Sequence, residues 1–128
     1  MAQQIVLDAS AMLVILLGEP GGQAVTNQLR ASVMSAVNHA EVGANLSKRG
    51  YGRDQIERLL SGWATVVVPF DLEHSLETIR LQRLTAGARL SLADRACLAL
   101  ARISKLPVLT TDRKWSELSI DVDVRQIR

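Results

Sequence analysis

The sequence predicts a three-layer α/β/α sandwich built around a central, mostly parallel β-sheet. Short apolar segments of strand length alternate with longer helical segments from one end of the chain to the other. Such alternation is typical of a parallel sheet whose right-handed crossovers place helices on both faces. No internal repeat, low-complexity tract or linker interrupts the 128 residues, so residues 1–128 are predicted to form a single domain.

The first half of the chain is predicted to contain two strands and four helices. In order these are a strand at Ile5–Leu7, helices at Ser10–Leu17 and Gln23–Arg30, a strand at Val33–Ser35, and helices at Asn38–Gly50 and Asp54–Trp63. The first strand is a continuous apolar run, which suits burial on both faces of a parallel sheet. Proline and glycine at Pro20-Gly21-Gly22 end the first helix, and Gly50 ends the third helix, Asn38–Gly50. In the helix Gln23–Arg30, residues Ala24, Val25 and Leu29 are expected on the inner side.

The second half of the chain continues the same alternation. In order we expect a strand at Thr65–Val68, a helix from a cap at Asp71 to about Thr85, a helix at Ser91–Ser104, a strand at Val108–Leu109, a helical turn at Asp112–Leu118 and an edge strand at Ile120–Val124. The first of these strands is rich in β-branched residues. The last alternates apolar and acidic residues, which is typical of an edge strand with one face in water.

Composition excludes several classes of protein. With 48% apolar residues the chain can bury a core, and with only two Trp, one Tyr and one Phe that core is aliphatic and a base-stacking surface is poorly supplied. The longest apolar stretch, Ala11–Leu17, is too short to span a bilayer, and no secretory leader is evident, so we expect a cytoplasmic protein without a membrane partner. Cys97 is the only cysteine, and its apolar neighbours indicate a small buried side chain rather than a nucleophile.

Four acidic residues lie where an α/β sheet would bring them together. Asp8 and Asp112 follow two predicted strands, and Glu41 and Asp94 lie near the starts of two predicted helices. Strand ends and the helices that follow them share one edge of an open sheet, and ligands bind at that edge. Carboxylates gathered there repel one another by roughly 4 kcal/mol for each close pair, at about 4 Å and an effective dielectric constant near 20. A divalent cation is the simplest compensation.

Each acid also has a structural explanation. Asp8 and Asp112 can cap the helical segments that follow them, and Asp94 stands three residues after Ser91, the spacing of a capping box. Glu41 has the same spacing from Asn38, although that helix can instead begin at Ser35. Taken singly, capping is the simpler explanation; taken together, the four acids favour a metal site.

The choice of metal follows from the ligands. Carboxylate oxygens are the ligands that Mg²⁺ and Mn²⁺ prefer, and one or two such ions can catalyse phosphodiester hydrolysis. The two histidines, His39 and His74, lie far from each other in sequence, which makes zinc a poorer choice. The formal charge is +2, and without the four acids 9 acidic residues remain against 15 basic ones, a surface balance of +6. An acidic cavity within a basic surface suits a polyanionic substrate.

The chain resembles the PIN-domain family, and within it the VapC-like toxins of bacterial toxin–antitoxin pairs. The segments that carry the resemblance, in their order and spacing, are Ile5-Val6-Leu7-Asp8-Ala9-Ser10-Ala11, Ala40-Glu41-Val42, Leu90-Ser91-Leu92-Ala93-Asp94-Arg95-Ala96 and Val108-Leu109-Thr110-Thr111-Asp112-Arg113-Lys114-Trp115. The resemblance extends over the whole chain. It implies a small α/β/α sandwich and endonucleolytic cleavage of RNA with Mg²⁺ or Mn²⁺.

The resemblance also implies a role for each residue. Asp8 and Asp94 would be the main metal ligands, and Glu41 and Asp112 would complete the shell directly or through water. Ser10 and Thr110 match small hydroxyl positions beside the metal, and Trp115 stands where the family often has Phe. Two arginines that each follow an acid are candidates for phosphate contact: Arg95 and Arg113.

Partners are implied in the same way. A VapB-like antitoxin would cover the site and insert a basic residue among the acids, and its groove is expected along the helices Asn38–Gly50 and Asp54–Trp63. A homodimer, a structured RNA such as tRNA as substrate, and a 5′-phosphate and 3′-hydroxyl as products are also implied. Two alternatives stay open: a nuclease that acts on DNA, and a non-catalytic scaffold in which the acids serve only as caps.

Overall fold

The computed structural model describes residues 4–27, 29–63 and 65–127, and it has the predicted three-layer architecture. The strands are β1 (Ile5–Leu7), β2 (Ser32–Ser35), β3 (Val66–Val68), β4 (Val108–Thr110) and β5 (Val124–Gln126). The helices are α1 (Ala9–Leu16), α2 (Gly22–Thr26), α3 (Ala36–Lys48), α4 (Arg53–Ser61), α5 (Leu72–Leu84) and α6 (Leu92–Ser104). Short 3-10 segments lie at Leu29–Ala31, Ala86–Ala88 and Arg113–Glu117.

The five strands form one parallel sheet in the order β3-β2-β1-β4-β5. From β1 the chain adds β2 and β3 on one side, and it then returns to add β4 and β5 on the other side. The direction of strand addition therefore reverses between β1 and β4. A crevice opens at such a reversal, outside the carboxyl ends of the two strands.

The two faces of the sheet are covered by different helices, because successive strand residues point to opposite sides. Ile5 and Leu7 of β1 pack with residues of α1, α2 and α3, whereas Val6 packs on the other face with α5 and α6. Both clusters are aliphatic apart from Trp115, which is 1% exposed and lies in the second cluster. Trp115 is therefore a packing residue.

Most predicted elements are confirmed with ends that shift by no more than two residues. The α5 cap at Asp71 and the α6 cap at Ser91 are confirmed, because each side chain accepts a backbone N–H of the first turn. Cys97 is fully buried in α6, and burial raises the pKa of its thiol well above the ordinary value. It is an inert core residue, as predicted.

The predicted helix Gln23–Arg30 is wrong in its second half. α2 ends at Thr26, and a separate 3-10 segment begins at Leu29; Gln28 lies outside the described residues. Val25 and Leu29 are buried as expected, but Ala24 is exposed. The chain turns here because β2 starts at Ser32, whose hydroxyl donates to the Leu29 carbonyl at 2.6 Å.

The predicted edge strand Ile120–Val124 begins too early. β5 starts at Val124 and runs to Gln126, paired in parallel with β4. Ile120 and Val122 are half-buried against the second cluster, so their alternation with exposed acids arises from a loop that packs on the core. Among the described residues, none of the helices combines the length and hydrophobicity needed to cross a membrane.

Candidate active site

A cavity of about 390 Å³ lies at the carboxyl ends of β1 and β4, and all four predicted acids line it. Its lining consists of Asp8, Ala9, Ser10, Leu13, Glu41, Asn45, Asp94, Thr111 and Asp112. The acids come from four separate segments: the end of β1, the second turn of α3, the first turn of α6 and the loop after β4. The position coincides with the reversal of strand order, where a ligand is expected in this class of fold.

Asp8 is the most buried of the four acids, with 5% of its surface exposed. Its Oδ1 accepts the Ser10 hydroxyl at 2.7 Å and the Ala11 backbone N–H at 2.8 Å, and its Oδ2 accepts the Thr110 hydroxyl at 2.5 Å. Burial raises the pKa of Asp8 from 3.8 to about 6, because it disfavours the charged form. The three hydrogen bonds oppose that rise, and the charge of Asp94 adds to it.

Ser10 and Thr110 join the ends of β1 and β4 through this carboxylate. Besides donating to Asp8, the Ser10 hydroxyl accepts the Thr111 backbone N–H at 3.1 Å. The Thr110 hydroxyl accepts the Asp112 backbone N–H at 3.0 Å. Each hydroxyl therefore both donates and accepts, which fixes the orientation of Asp8 and the path of the chain into Asp112.

Asp94 and Asp112 serve as helix caps and line the cavity at the same time. Asp94 forms a capping box with Ser91: its Oδ2 accepts the Ser91 N–H at 3.0 Å, and the Ser91 hydroxyl accepts the Asp94 N–H at 3.0 Å. Asp112 Oδ1 accepts the Lys114 N–H at 3.0 Å. In each case the capping bond uses one carboxylate oxygen.

Glu41 does not cap a helix. α3 begins at its cap Ser35, whose hydroxyl accepts the Val37 N–H at 3.2 Å, so Glu41 lies one turn further on. Capping by Glu41 with Asn38 is therefore wrong. Partial burial raises the pKa of Glu41; a hydrogen bond from Asn38 opposes this, and the charge of Asp94 adds to it.

The arrangement fits a divalent cation by the chemistry of its donors. The described lining includes four carboxylates and no lysine or arginine, so no protein cation neutralises them there. Over the described residues, no three His, Cys, Asp or Glu side chains are arranged to hold an ion by themselves. Water would complete such a shell, as is usual for Mg²⁺.

Sequence reasoning missed Asn45. It lies one helical turn after Glu41 on α3 and lines the same cavity. The signal was present, because residues four apart on a helix share a face.

The two predicted phosphate-contacting arginines do not line the cavity. Arg95 is half-buried, and its guanidinium donates to the Thr78 carbonyl of α5 at 3.4 Å. Arg113 is exposed at the start of the 3-10 segment after Asp112. His39 lies at a different cavity beside Trp63, and His74 is buried against Phe70 with ring centroids 6.0 Å apart. Neither histidine belongs to the acidic cavity.

The raised pKa of Asp8 predicts a pH-dependent effect of Asp8→Asn on stability. Since the pKa is higher in the folded state than in the unfolded state, Asp8 stabilises the fold fully below about pH 4, and this contribution is lost as the pH rises to about 6. In EDTA, the unfolding free energy of Asp8→Asn minus that of the wild type should increase by about 3 kcal/mol between about pH 3.5 and pH 8. Urea unfolding at each pH measures it.

The matched control is Asp121→Asn, which removes an exposed carboxylate outside the cavity. Comparison of the two variants over the same pH range separates the effect of the buried Asp8 from the effect of losing any one carboxylate. A constant difference from the wild type for Asp8→Asn would contradict the desolvated state assigned to Asp8.

Comparison with solved structures gives the same fold. A chain of DNA-bound VapBC from Salmonella typhimurium superposes with a TM-score of 0.80 at 13% identity, covering 99% of this chain and 100% of that one. VapBC2 from Rickettsia felis, bound to a fragment of its promoter, gives 0.78 at 13% identity and covers 97% and 98%.

A third structure, VapC20 of Mycobacterium tuberculosis, is described as a toxin that cleaves the sarcin–ricin loop. It gives a TM-score of 0.74 at 13% identity, covering 89% of this chain and 94% of that one. At such identities the likeness establishes the fold. No curated protein sequence matches the chain significantly. The family model of the PIN domain matches residues 5–120, nearly the whole length. The chain therefore belongs to the PIN domain family.

Proposed function

We propose that this protein is a metal-dependent endoribonuclease that acts as the toxin of a VapBC-type toxin–antitoxin pair. The observation that carries the proposal is the meeting of four carboxylates in one cavity at the strand-order reversal, without a protein cation among the described lining residues. Membership of the PIN family and the shared fold with an RNA-cleaving toxin support it. We expect the protein to act in the cytoplasm, where its RNA substrate is found.

Asp8 and Asp94 are the main ligands for Mg²⁺ or Mn²⁺, and Glu41 and Asp112 complete the shell directly or through water. Burial makes the charged form of Asp8 unfavourable in the metal-free protein, as its raised pKa indicates. A nearby cation would stabilise that charged form, which supports Asp8 as a ligand. One or two bound cations supply the activation of water and the stabilisation of the leaving oxygen.

The protein's own side chains orient the metal ligands and line the cavity. Ser10 and Thr110 hold Asp8 in one position, and Leu13 closes one side of the cavity with an apolar side chain. Hydrolysis at this site leaves a 5′-phosphate and a 3′-hydroxyl. A structured RNA such as tRNA is the substrate class we propose, with Arg113 exposed beside the cavity to contact a phosphate.

The decisive test is cleavage of a total tRNA pool by purified protein with Mn²⁺ or with EDTA. We expect cuts with Mn²⁺ and none with EDTA. Asp94→Asn should lose at least about a hundredfold in rate, because its ligand charge is gone. The variant keeps an oxygen that can accept the Ser91 N–H, so the α6 cap is retained. Sequencing of the cut ends identifies the site.

Asp121→Asn, the same chemical change on an exposed residue outside the cavity, should cleave like the wild type. Full activity of Asp94→Asn would overturn the assignment of the metal ligands. If no RNA is cut and calorimetry detects no Mn²⁺ binding, the protein is a scaffold in which the acids act only as caps. Cutting of DNA in place of RNA would support the alternative of a nuclease that acts on DNA.

The proposed partner is a small VapB-like antitoxin that binds along α4. The exposed faces beside this helix are partly apolar: one cavity of about 300 Å³ is lined by Tyr51, Gln55, Arg58 and Leu59. Of these four residues, Tyr51 and Leu59 are half-buried: they pack on the first core cluster and leave part of their surface open. Gly43 and Asn45 of α3 connect this region to the acidic cavity, since Gly43 faces Ile56 and Leu60 of α4.

An antitoxin segment with apolar residues for α4 and an arginine for the acidic cavity fits both surfaces. Co-expression with the small protein encoded next to the toxin should give a complex on size-exclusion chromatography. Leu59→Glu should weaken that complex at least about tenfold by burying a charge against the antitoxin. Arg53→Glu, at an exposed position at the start of α4, is the control and should bind normally. Equal affinity of both variants would place the antitoxin elsewhere.

The proposed homodimer uses the outer face of α5. Leu72, Leu76 and Ile79 recur at i, i+4 and i+7 and are 73%, 58% and 63% exposed, so an apolar stripe faces solvent. Glu73 and Arg83 lie near opposite ends of this helix, and both are exposed. When two copies pack antiparallel about the middle of α5, each Glu73 meets the Arg83 of the other copy.

This pairing predicts a charge-swap result. Glu73→Arg and Arg83→Glu should each shift sedimentation toward the monomer, because like charges then face each other across the interface. The double variant should restore the dimer. A double variant that stays monomeric, or single variants that dimerise normally, would contradict the antiparallel α5 interface.

A further inference from the structure

A second cavity, of about 470 Å³, shares no described lining residue with the acidic one and has a different charge. It is lined by Gly87, Ala88, Arg89, Lys114, Glu117 and Leu118, and we call it the basic pocket. One wall comes from the turn between α5 and α6, and the other comes from the 3-10 segment after β4. Nothing in the metal-site chemistry described above uses these residues.

The basic pocket is connected to the acids through the chain itself. Arg89 lies two residues before Ser91, which forms the capping box with Asp94. Lys114 donates its backbone N–H to the Asp112 carboxylate at 3.0 Å. Through Ser91 and the backbone of Lys114, the two cations are thus linked along the chain to two of the four acids, Asp94 and Asp112.

The pocket has the chemistry of a phosphate site. Both Arg89 and Lys114 are exposed, and neither side chain has an ion pair or hydrogen bond with any described residue. Glu117 is the acid in the described lining, so the cations outnumber it. Arginine offers a planar fork to phosphate oxygens, and lysine offers a point charge. Around Gly87 the space is open, since an added Cβ would meet nothing within 4 Å.

The backbone of Arg89 adds an independent observation. Its φ of 54° and ψ of 46° place it in the left-handed region, at the end of the Ala86–Ala88 segment. Glycine adopts this conformation most readily and is the usual residue at such an end. Local backbone preference thus disfavours arginine at this position. The presence of arginine there indicates a role for its side chain.

Lys105 is the natural comparison. It has nearly the same conformation, φ 56° and ψ 45°, at the end of α6. Lys105 has a local explanation, because a cation is favourable at the end of a long helix and Asp121 and Asp123 line the same cavity. The three-residue segment before Arg89 offers no comparable helix end.

We propose that the basic pocket binds a backbone phosphate of the RNA strand next to the scissile bond, with Arg89 and Lys114 as its ligands. The proposal rests on the proposed function, in that the acidic cavity is where the strand is cut. Phosphate contacts of this kind set the register and affinity of a strand without reading its sequence.

The test compares Arg89→Gly and Lys114→Gln with Lys105→Gly. Binding of fluorescein-labelled tRNA, the substrate class proposed above, is followed by anisotropy in EDTA over a series of KCl concentrations. Each pocket variant should bind about five- to tenfold more weakly, and the slope of log affinity against log salt should fall by about 0.7–0.9. In cleavage assays with Mn²⁺, KM should rise and kcat should hold.

Measurements of thermal stability separate the effect of losing the Arg89 side chain from the effect of changing its backbone conformation. Arg89→Gly and Lys105→Gly both relieve a left-handed backbone, so both should melt at or above the wild-type temperature. Of these two glycine variants, Arg89→Gly should lose RNA affinity and Lys105→Gly should keep it, although each loses one positive charge. Weaker binding of Lys105→Gly to the same extent would reduce the effect to net charge and overturn the pocket.

Failure of this proposal differs from failure of the proposed function. If the wild type cuts RNA while both pocket variants keep its KM and salt slope, the pocket is wrong and the nuclease stands. If the wild type binds RNA through Arg89 and Lys114 but cuts nothing, the phosphate site stands, whereas the nuclease and the position of that site next to a scissile bond are wrong. An absence of RNA binding by the wild type would overturn the pocket directly.

Discussion

The buried carboxylate of Asp8 is the interaction on which the site depends. It lies between the ends of the two strands where strand order reverses, and its hydrogen bonds come from the strand β4, from Ser10 and from the backbone of α1. Removing a carboxylate from water is unfavourable, which the rise of its pKa to about 6 expresses. The fold tolerates this because three donors surround the carboxylate. Those same donors fix where β1 and β4 end relative to each other.

In this protein the same carboxylates take part in helix capping and line the acidic cavity. Asp8, Asp94 and Asp112 each accept a backbone N–H at the start of a helical segment, and each also lines the cavity. A cap holds a carboxylate at a helix N-terminus, and in a parallel sheet the helix N-termini gather at the same edge as the strand ends. Local helix energetics therefore place three acids together before any ligand is present. Glu41 is the exception, because it belongs to the second turn of α3 and has no cap to make.

The sequence predicts well those features that local patterns determine, and it predicts poorly those that depend on contacts between distant segments. Elements with a continuous apolar run or a clear cap, such as β1, α5 and α6, were predicted to within two residues, since local patterns determine them. The end of α2 and the start of β5 were predicted wrongly because they depend on contacts outside the element itself. After α2, the Ser32 hydroxyl donates to the Leu29 carbonyl where the chain turns into β2. β5 begins at Val124, the first of its residues to pair with β4. The hydrogen bond from Thr110 to Asp8 spans 102 residues, and no local pattern contains it. Family resemblance supplied the position of Thr110, but not its partner.

The charge distribution sets the order in which ligands can bind. Four carboxylates in a cavity without a described lysine or arginine repel a phosphate as strongly as they attract a cation. A polyanionic strand can therefore approach the acids only after a cation has neutralised them. The basic pocket lies outside that cavity, where Arg89 and Lys114 carry positive charge whether or not a metal is bound. In the proposed nuclease, contact with the strand at that pocket would not require the metal, whereas contact at the acids would. The two contacts are then separable by their dependence on divalent cation.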